Sequence, residues 1–436
     1  MNKLELRKEI ISLVRKYADI DKGDNTFNKG VDAIPSAGKV IGASELSMMT
    51  DAVLDGWLTT GRFNDQFEEK LASYLGIRHA LTTNSGSSAN LLAFTALTSP
   101  KLGDRQIKAG DEVITVAAGF PTTVNPILQN NCIPVFVDVE IPTYNINVEL
   151  LDGAFSEKTK AVMLAHTLGN PYNLKAVKEF TEKHNLWLIE DCCDALGTKY
   201  NNKKVGTFGD IATLSFYPAH HITMGEGGAV LTNNTKLKKI IESIRDWGRD
   251  CYCQTGCDNT CNNRFTRQLG GLPKGYDHKF TYSHLGYNLK ITDTQAACGV
   301  AQLERIEYFV QKRKDNFNYL TENLQNLSHE LVLPQPTVDS DPAWFGYPLT
   351  IRNKKSNRTE LLEYLNKYKI GTRLLFAGNL TKQPYFKDRK YRIVGNLENT
   401  DRIMNQTFWV GLYPGLTEEM LDFTIDKIKS FFSLVE

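Results

Sequence analysis

A cysteine-rich segment is the first candidate for chemistry in this chain. Four of the eight cysteines fall within the eleven residues CYCQTGCDNTC, at positions 251–261. Thiolates at such short spacing are typical ligands of iron–sulfur clusters and of zinc. A structural zinc site and a redox-labile loop without metal are the alternative interpretations. Three further cysteines are predicted to be buried core thiols, namely Cys132, Cys192 and Cys298.

A turn rich in glycine and serine, NSGSSAN at 84–90, separates an apolar segment from a helical one. Such a turn at the start of a helix presents unpaired backbone N–H groups to an anion. The segment therefore predicts a phosphate site, although a capped helix without a ligand would have the same sequence. Ser215 ends a predicted strand, and ligands collect at the carboxyl ends of strands in α/β sheets.

Two acidic residues, Glu190 and Asp191, end the apolar stretch of LWLIEDCCDALG. A carboxylate at the end of a strand could bind a protonated ring nitrogen through a charge-assisted hydrogen bond. The alternative interpretation is that the pair caps the N-terminus of a helix.

Short β-rich runs alternate with helical stretches and would position these groups. We predict strands at 112–116, 133–138, 160–165, 186–190, 211–215 and 229–232. This alternation predicts a largely parallel sheet with helices on both faces. We divide the chain into an N-terminal helix and arm (1–40), a large domain (41–292) with a loop-like insertion (248–287), and a small α+β domain (293–436). The small domain should begin with a helical stretch over 294–327, contain strands near 345–351 and 371–375, and end with a helix after Thr417.

Composition and charge limit the class of protein. Lys and Arg number 51 against 50 Asp and Glu, so a net charge of +1 argues against nucleic acid or an anionic membrane as the partner. No apolar run reaches about 18 residues. Charges interrupt the N-terminal segment, whose apolar residues fall on one helical face, so we expect a helix rather than a signal peptide. We therefore expect a cytoplasmic protein whose cysteines are thiols or metal ligands.

Five blocks in a fixed order carry a resemblance to a known family: 111–127, 134–147, 189–197, 206–232 and 286–303. Over about residues 42–425 the chain resembles the sugar aminotransferase/dehydrase family of fold-type-I pyridoxal-phosphate proteins. The resemblance implies an α/β fold like that of aspartate aminotransferase. It also implies roles by position: Gly86, Ser87 and Ser215 at the cofactor phosphate, Phe120 on the pyridine ring, Asp191 at the ring nitrogen, and Asn288 at the phosphate of a neighbouring subunit in a homodimer.

One position departs from the aminotransferase pattern. The lysine that would bind the cofactor aldehyde covalently is replaced by His220, in SFYPAHH. Imidazole cannot make that link, but it can move protons. A degraded, inactive homologue is one interpretation. The other is an enzyme that holds pyridoxamine 5′-phosphate non-covalently, with His220 as the base. Tyr217, Asp194 and His221 are further candidates for proton transfer.

The histidine and the thiol spacing together resemble one branch of the family, the CDP-4-dehydro-6-deoxyglucose 3-dehydrases of 3,6-dideoxysugar synthesis. This resemblance implies a [2Fe–2S] cluster on Cys193, Cys251, Cys253 and Cys261. An all-local set that includes Cys257 stays possible on spacing.

The implied reaction removes the C3 hydroxyl of CDP-4-dehydro-6-deoxyglucose, in the synthesis of O-antigen or other lipopolysaccharide sugars. Two electrons must then arrive from a separate NAD(P)H-dependent flavin or iron–sulfur reductase, because the chain has no G-x-G-x-x-G dinucleotide motif. A nucleotide-sugar aminotransferase and a non-enzymatic iron–sulfur regulator are the alternative functions.

Overall fold

The computed structural model describes residues 1–20, 26–251, 253, 256–352 and 357–435. Part of the predicted N-terminal arm (21–25) and three positions of the predicted insertion (252, 254 and 255) lie outside the described residues. The helices are α1 Lys3–Ile20, α2 Ala43–Asp55, α3 Arg62–Leu75, α4 Gly86–Ala96, α5 Pro121–Gln129, α6 Leu151–Ala154, α7 Leu174–Lys183, α8 Thr235–Arg245, α9 Asp293–Leu303, α10 Ile306–Leu324, α11 Arg358–Lys367, α12 Glu398–Gln406 and α13 Glu418–Val435. The strands are β1 His79–Thr83, β2 Glu112–Val116, β3 Ile133–Val137, β4 Thr159–Ala165, β5 Trp187–Asp191, β6 Lys199–Tyr200, β7 Lys203–Lys204, β8 Ile211–Ser215, β9 Gly228–Thr232, β10 Leu331–Val332, β11 Ser340–Asp341, β12 Gly346–Ile351, β13 Thr372–Leu374, β14 Arg392–Ile393 and β15 Thr407–Gly411.

An eight-stranded sheet forms the centre of the fold, in the order β1-β9-β8-β5-β4-β2-β3-β14. Only β9 runs antiparallel to its neighbours, so the predicted, mostly parallel sheet is confirmed. Every residue of β2, β5, β8 and β9 is buried, because helices cover both faces. All six predicted strands are present, with ends shifted by at most one residue.

A second, four-stranded sheet, β10-β12-β15-β13, lies in the C-terminal part of the chain. The helices α10 and α11 contact α13 there. The short β14 leaves this region and pairs with β3 at the edge of the large sheet. The C-terminal part is therefore joined to the large sheet by hydrogen-bonded backbone as well as by side chains.

Both helical predictions are confirmed, and the structure adds detail to each. The stretch predicted to be helical over 294–327 contains two helices, because the backbone leaves helical geometry at Arg305 (φ −108°). At this break Gln302 and Arg305 both donate to the buried carboxylate of Glu45, a tertiary contact that helical periodicity does not reveal. The predicted helix α1 forms, but none of its residues is buried, and Arg7 joins it to Asp51 of α2 at 2.6 Å.

The predicted insertion at 248–287 is confirmed as mostly loop. In its described positions it contains one short 3₁₀ turn, His278–Phe280, and one isolated bridge, between Arg249 and Tyr282. The cysteines predicted to be core thiols, Cys132, Cys192 and Cys298, are buried. Among the described helices, none combines the length and the apolar character needed to cross a membrane.

A salt bridge fixes β14 to the large sheet and gives a first prediction. Arg392 donates to Glu112 at 2.7 Å, and Ser156 also donates to this carboxylate. Both partners lower the pKa of Glu112, although burial opposes them. The ionised pair therefore stabilises the fold above the unfolded-state pKa, and this contribution disappears as the pH falls through the lower, folded-state pKa. Glu112→Gln should reduce the free energy of unfolding by about 1–2 kcal/mol at pH 7.

The measurement is urea unfolding of both proteins at pH 7 and at about pH 3.5. The difference between them should shrink as the pH falls through the lowered pKa of Glu112. Glu157→Gln, at an exposed neighbouring position, is the matched control and should leave stability unchanged. An equal loss of stability at both pH values would contradict the ionic role of the pair.

Candidate active site

A cavity of about 1010 Å³ opens where β5 and β8 end and where α4 and α5 begin. The structure brings most of the predicted site together, because nine of those residues line this cavity: Gly86, Ser87, Phe120, Asp191, Cys193, Asp194, Ser215, Tyr217 and His220. The walls add aromatic side chains, among them Phe345, Tyr385 and Trp409, and one arginine, Arg373. The cavity is thus polar at the sheet edge and aromatic towards the C-terminal part of the chain.

The start of α4 forms an anion cradle against Ser215. The helix begins at Gly86, and its N-cap Ser85 accepts a hydrogen bond from the backbone N–H of Ser88. A Cβ atom at Gly86 would lie 2.4 Å from Cβ of Ser215, so only glycine permits this approach. The N-terminus of α4, with its unpaired backbone N–H groups, therefore lies directly beside the Ser215 side chain, and this arrangement suits a phosphate group.

Both carboxylate oxygens of Asp191 accept hydrogen bonds that fix the orientation of this side chain. Oδ2 accepts from Asn90 Nδ2 at 2.8 Å and from Thr123 Oγ1 at 2.7 Å, while Oδ1 accepts from the backbone N–H of Cys193 at 3.1 Å. Thr213 donates to the amide oxygen of Asn90 at 2.6 Å and so turns the amide nitrogen towards Asp191. The carboxylate is buried at the cavity wall, where it can pair with a protonated ring nitrogen.

The other carboxylate of the predicted acidic pair has a different role. Neither Glu190 nor Asp191 caps a helix, since a turn follows β5. Glu190 is fully buried, and its carboxylate accepts hydrogen bonds from the backbone N–H groups of Gly206, Phe208 and Gly209. Together with His166, these donors lower its pKa against the effect of burial.

His220 lies in the cavity beside a carboxylate. Its Nδ1 is 3.3 Å from Oδ1 of Asp194, and its backbone N–H donates to the carbonyl of Tyr217. The ring packs against Phe345, with 5.2 Å between ring centres. The half-exposed ring of Tyr217 lies 6.5 Å from that of His220.

The neighbouring His221 is outside this cavity. It is buried, and its Nε2 donates to the carbonyl of Ala343 at 2.7 Å. Burial and the nearby Arg313 lower the pKa of His221 well below its usual range. Of the three further candidates for proton transfer, Tyr217 and Asp194 therefore line the cavity and His221 does not.

A buried guanidinium lies behind His220. Arg313 is fully buried, and it donates to the carbonyls of Ala219 and His220 and to those of Trp344 and Phe345, at 3.0–3.4 Å. Burial lowers its pKa to about 10. This side chain joins the loop that carries His220 to the segment that leads into β12.

The predicted cluster ligands occupy two places. Cys193 lies at the cavity, where burial and Asp191 raise the pKa of its thiol. Cys251 and Cys253 contact each other on the insertion, and hydrogen bonds from Thr260 help to lower the pKa of Cys253 to about 7. Cys261 lies 3.5 Å from Nε2 of His278.

No three of the four sulfur atoms predicted to bind the cluster lie within 4.8 Å of one another. Within the described ranges, the group that meets this criterion is His166, Glu190 and Cys192. Asn288 is exposed and lies outside the cavity wall, and Cys257 is exposed on the loop. The assignment of the cluster ligands and that of Asn288 to a neighbouring subunit both stay predictions.

Sequence reasoning missed three residues that complete the site: Asn90, Thr123 and His166. Asn90 lies four residues after Gly86 and Thr123 three residues after Phe120, each one helical turn from a predicted site residue. That spacing would have indicated both. No local pattern marks His166, which directly follows β4 and lines the cavity.

Comparisons with known proteins decide the family. A profile described as the DegT/DnrJ/EryC1/StrS aminotransferase family matches residues 39–429. The chain belongs to this family. It is an enzyme family of sugar aminotransferases and dehydratases with the fold-type-I pyridoxal-phosphate architecture, as the resemblance predicted.

Relatives within the family include both named enzymes and a biosynthesis protein. The chain is 65% identical over 430 residues to the lipopolysaccharide biosynthesis protein RfbH of Salmonella typhimurium, covering 98% of each chain. It is 48% identical to dTDP-4-dehydro-2,6-dideoxy-D-glucose 3-dehydratase of Saccharopolyspora spinosa, covering 98% of this chain and 92% of the relative.

A solved structure of the Escherichia coli GDP-4-keto-6-deoxy-D-mannose-3-dehydratase with bound hydrated PLP superposes with a TM-score of 0.81. It is 28% identical, over 90% of this chain and 98% of that one.

The anion cradle gives a prediction that needs no substrate. Gly86→Ala should abolish tight binding of pyridoxamine phosphate, because the new methyl group would overlap Ser215 and push α4 away from it. Fluorescence titration with the free cofactor measures the loss, which should reach about a hundredfold or more. Gly119→Ala, with no atom nearer than 3.6 Å to the new Cβ, is the control. Equal affinities in the two variants would show that the phosphate binds elsewhere.

Proposed function

We propose that this enzyme holds pyridoxamine 5′-phosphate without a covalent link and removes the C3 hydroxyl of a nucleotide-linked 4-keto-6-deoxyhexose. One observation carries the proposal. His220 lines the cavity and, by the family resemblance, stands at the position of the aminotransferases' cofactor lysine, while Gly86, Ser87, Phe120, Asp191 and Ser215 of the predicted cofactor set line the same cavity. A degraded homologue would have no reason to retain the cradle, Asp191 and its three hydrogen bonds.

The residues present fit this cofactor. The glycine cradle against Ser215 suits the phosphate, the buried Asp191 suits the ring nitrogen, and Phe120 at the cavity wall suits the face of the ring. When bound, pyridoxamine phosphate supplies an amine for the sugar ketone and a ring that accepts electrons.

The chain's own residues divide the proton chemistry. Asp191, oriented by Asn90 and Thr123, keeps the ring nitrogen protonated. His220 takes a proton from the cofactor methylene carbon, so that electrons are available to expel the C3 hydroxyl. Since Nδ1 of His220 faces Asp194, Nε2 is the nitrogen available as the base. Tyr217 is the nearest further hydroxyl and serves as a candidate proton donor to the leaving group.

The substrate in this proposal is CDP-4-dehydro-6-deoxyglucose. The CDP group rests on the branch resemblance, and the relatives named above carry dTDP and GDP in their names. A role in the synthesis of lipopolysaccharide sugars agrees with the name of the relative RfbH. Turnover assays with CDP-, dTDP- and GDP-linked 4-keto sugars would decide between the nucleotides.

The proposal includes a [2Fe–2S] cluster on Cys193, Cys251, Cys253 and Cys261, in a homodimer of cytoplasmic location. The location of Cys193 supports it, because this thiol lies two residues from Asp191 at the cavity wall. As a ligand, Cys193 would tie the cluster to the turn that follows Asp191, and the cluster would supply one-electron transfer. The two electrons would come from NAD(P)H through a separate flavin or iron–sulfur reductase.

A nucleotide-sugar aminotransferase is the second candidate, because the family includes such enzymes. The replacement of the lysine by His220 disfavours it. The visible spectrum of the purified protein separates the two functions. Iron–sulfur bands without the band of covalently bound cofactor support the dehydratase, and the opposite pattern supports the aminotransferase.

The base assignment predicts a large kinetic effect. His220→Asn should keep the fold and the iron content but lose about two to four orders of magnitude in the rate of C3 deoxygenation, as expected for one general base. His220→Lys should instead gain covalent attachment of pyridoxal phosphate, which absorbance and mass spectrometry detect. The remote His79→Asn is the control. A loss below roughly tenfold in His220→Asn would assign the base to another residue.

The cluster assignment predicts a contrast between two thiols. Cys257→Ala should retain iron, sulfide and an unchanged electron paramagnetic resonance signal, because the exposed Cys257 is not a proposed ligand. Cys193→Ala should lose or grossly alter the cluster. The reverse result would move the site entirely into the loop.

The dehydration half of the reaction should survive loss of the cluster. Exchange of a cofactor methylene proton, measured with substrate present, should therefore persist in Cys251→Ala and Cys253→Ala, because proton chemistry needs no electrons.

A further inference from the structure

Arg373 is the permanent cation of the cavity wall. Among the described side chains that line the cavity there is no lysine and no second arginine, whereas the carboxylates of Asp191, Asp194 and Glu226 all line it. The wall therefore carries more negative than positive charge. A ligand with several negative charges would be repelled by such a wall, unless a cation lies where those charges bind.

The guanidinium of Arg373 is available to bind an anion. The residue is exposed at the cavity, and within the described ranges its side chain makes one hydrogen bond, from Nη1 to the carbonyl of Thr372 at 2.8 Å. Nε and Nη2 have no partner in those ranges. These two nitrogens form the edge of the planar group that can donate to two oxygens of one anion at once.

The four-stranded sheet places Arg373 on the face that borders the cavity. Arg373 of β13 pairs with Trp409 of β15, and directly opposite residues of an antiparallel pair have their side chains on the same face. The Trp409 ring lies 5.5 Å from that of Phe345, which lies 5.2 Å from that of His220, measured between ring centres. Two aromatic side chains therefore separate Arg373 from the proposed base.

The segment after β13 is fixed beside the proposed cofactor site. The backbone N–H of Leu380 donates to the carbonyl of Ala117 at 3.0 Å, and the ring of Phe376 meets that of Phe120 edge to face at 6.1 Å. These contacts join the end of β13 to the loop that leads into α5. The fold thus sets the position of Arg373 relative to the cofactor ring.

A sugar nucleotide has two functional ends that match this arrangement. Its ketone is at C4 and its ionised diphosphate is attached at C1, on the opposite side of the hexose ring. The cradle at α4 is assigned to the cofactor phosphate, so the diphosphate needs a second anion site. A hexose whose C4 lies near His220 would direct its diphosphate away from this base, and Arg373 is the cation at that distance.

We propose that Nε and Nη2 of Arg373 bind the diphosphate of the nucleotide-linked substrate. The inference rests on the proposed function, and it adds the residue that binds the anionic end of the sugar nucleotide.

A carboxylate is the other anion that this guanidinium could bind. An aminotransferase would need a site for the carboxylates of its amino-acid donor, and arginine pairs with carboxylates through the same two-donor geometry. The wall also includes the rings of Trp409 and Tyr385. Because aromatic rings stack on nucleobases, they suit a sugar nucleotide better than a short aliphatic acid.

The experiment measures binding without turnover. CDP-glucose and dTDP-glucose, which have a hydroxyl at C4 and so cannot react, are titrated by calorimetry into protein loaded with pyridoxamine phosphate, and glutamate is titrated separately. The proteins are the wild type, Arg373→Gln, Arg373→Lys and the control Arg78→Gln. Arg78 is exposed and directly precedes β1, whose other end leads to α4, so the control loses the same charge at the far edge of the large sheet.

We expect Arg373→Gln to weaken binding of the sugar nucleotide about tenfold to a hundredfold, the effect of hydrogen bonds to a charged group. Arg373→Lys should bind with intermediate affinity, because its ammonium retains the charge but not the planar fork. The wild-type Kd should rise more steeply with salt concentration than that of Arg373→Gln. Affinity for pyridoxamine phosphate should be equal in all four proteins, and Arg78→Gln should bind the sugar nucleotides like the wild type.

Wild-type affinity for the sugar nucleotides in Arg373→Gln overturns the inference. Loss of glutamate binding in that variant, with sugar-nucleotide binding unchanged, would assign Arg373 to a carboxylate. A parallel loss of affinity for pyridoxamine phosphate would also overturn it, since Arg373 would then act on the cofactor site. Failure of the wild type to bind either sugar nucleotide would instead refute the proposed substrate class, and is thus distinguishable.

Discussion

The carboxylate of Asp191 is the point on which the arrangement of the cavity depends. Its three donors come from α4, from α5 and from the turn after β5, so one side chain aligns three elements. Asn90 belongs to the same helix whose N-terminus forms the anion cradle, and the phosphate and ring-nitrogen sites are therefore set at a fixed separation. These three donors are neutral, so none of them forms an ion pair with the carboxylate, which can pair with a cationic group in the cavity.

Two histidine–carboxylate pairs lie in or beside the cavity, and they differ in burial. His166 and Glu190 are fully buried and their geometry is over-determined by backbone N–H groups. His220 and Asp194 are partly exposed at 3.3 Å, where the ring can exchange protons with a ligand or with water. The first pair suits a fixed hydrogen bond, and the second suits a group that must be protonated and deprotonated in each cycle.

The elements that depend on local pattern were predictable from the sequence, and those that depend on distant contacts were not. Buried strands such as β2 and β8 appear as apolar runs, so their bounds were predicted to the residue. The break at Arg305 coincides with a hydrogen bond to Glu45, about 260 residues away in the chain. His166 acquires its importance from Glu190 on the neighbouring strand, which periodicity does not report. In the site, the sequence predicted the reactive residues at strand ends, such as Asp191 and Ser215. The residues that orient them, such as Asn90 and Thr123, were missed.

The buried guanidinium of Arg313 has a mechanical consequence. Its hydrogen bonds span the backbone on both sides of the cavity, at His220 and at Phe345. A planar group with five donors can serve carbonyls in two segments at once, which the single ammonium of lysine could not reproduce in the same geometry. If the C-terminal part of the chain pivots to admit a sugar nucleotide, the loop with His220 must travel with it or these hydrogen bonds must break. Opening of the cavity would therefore be coupled to movement of the His220 imidazole.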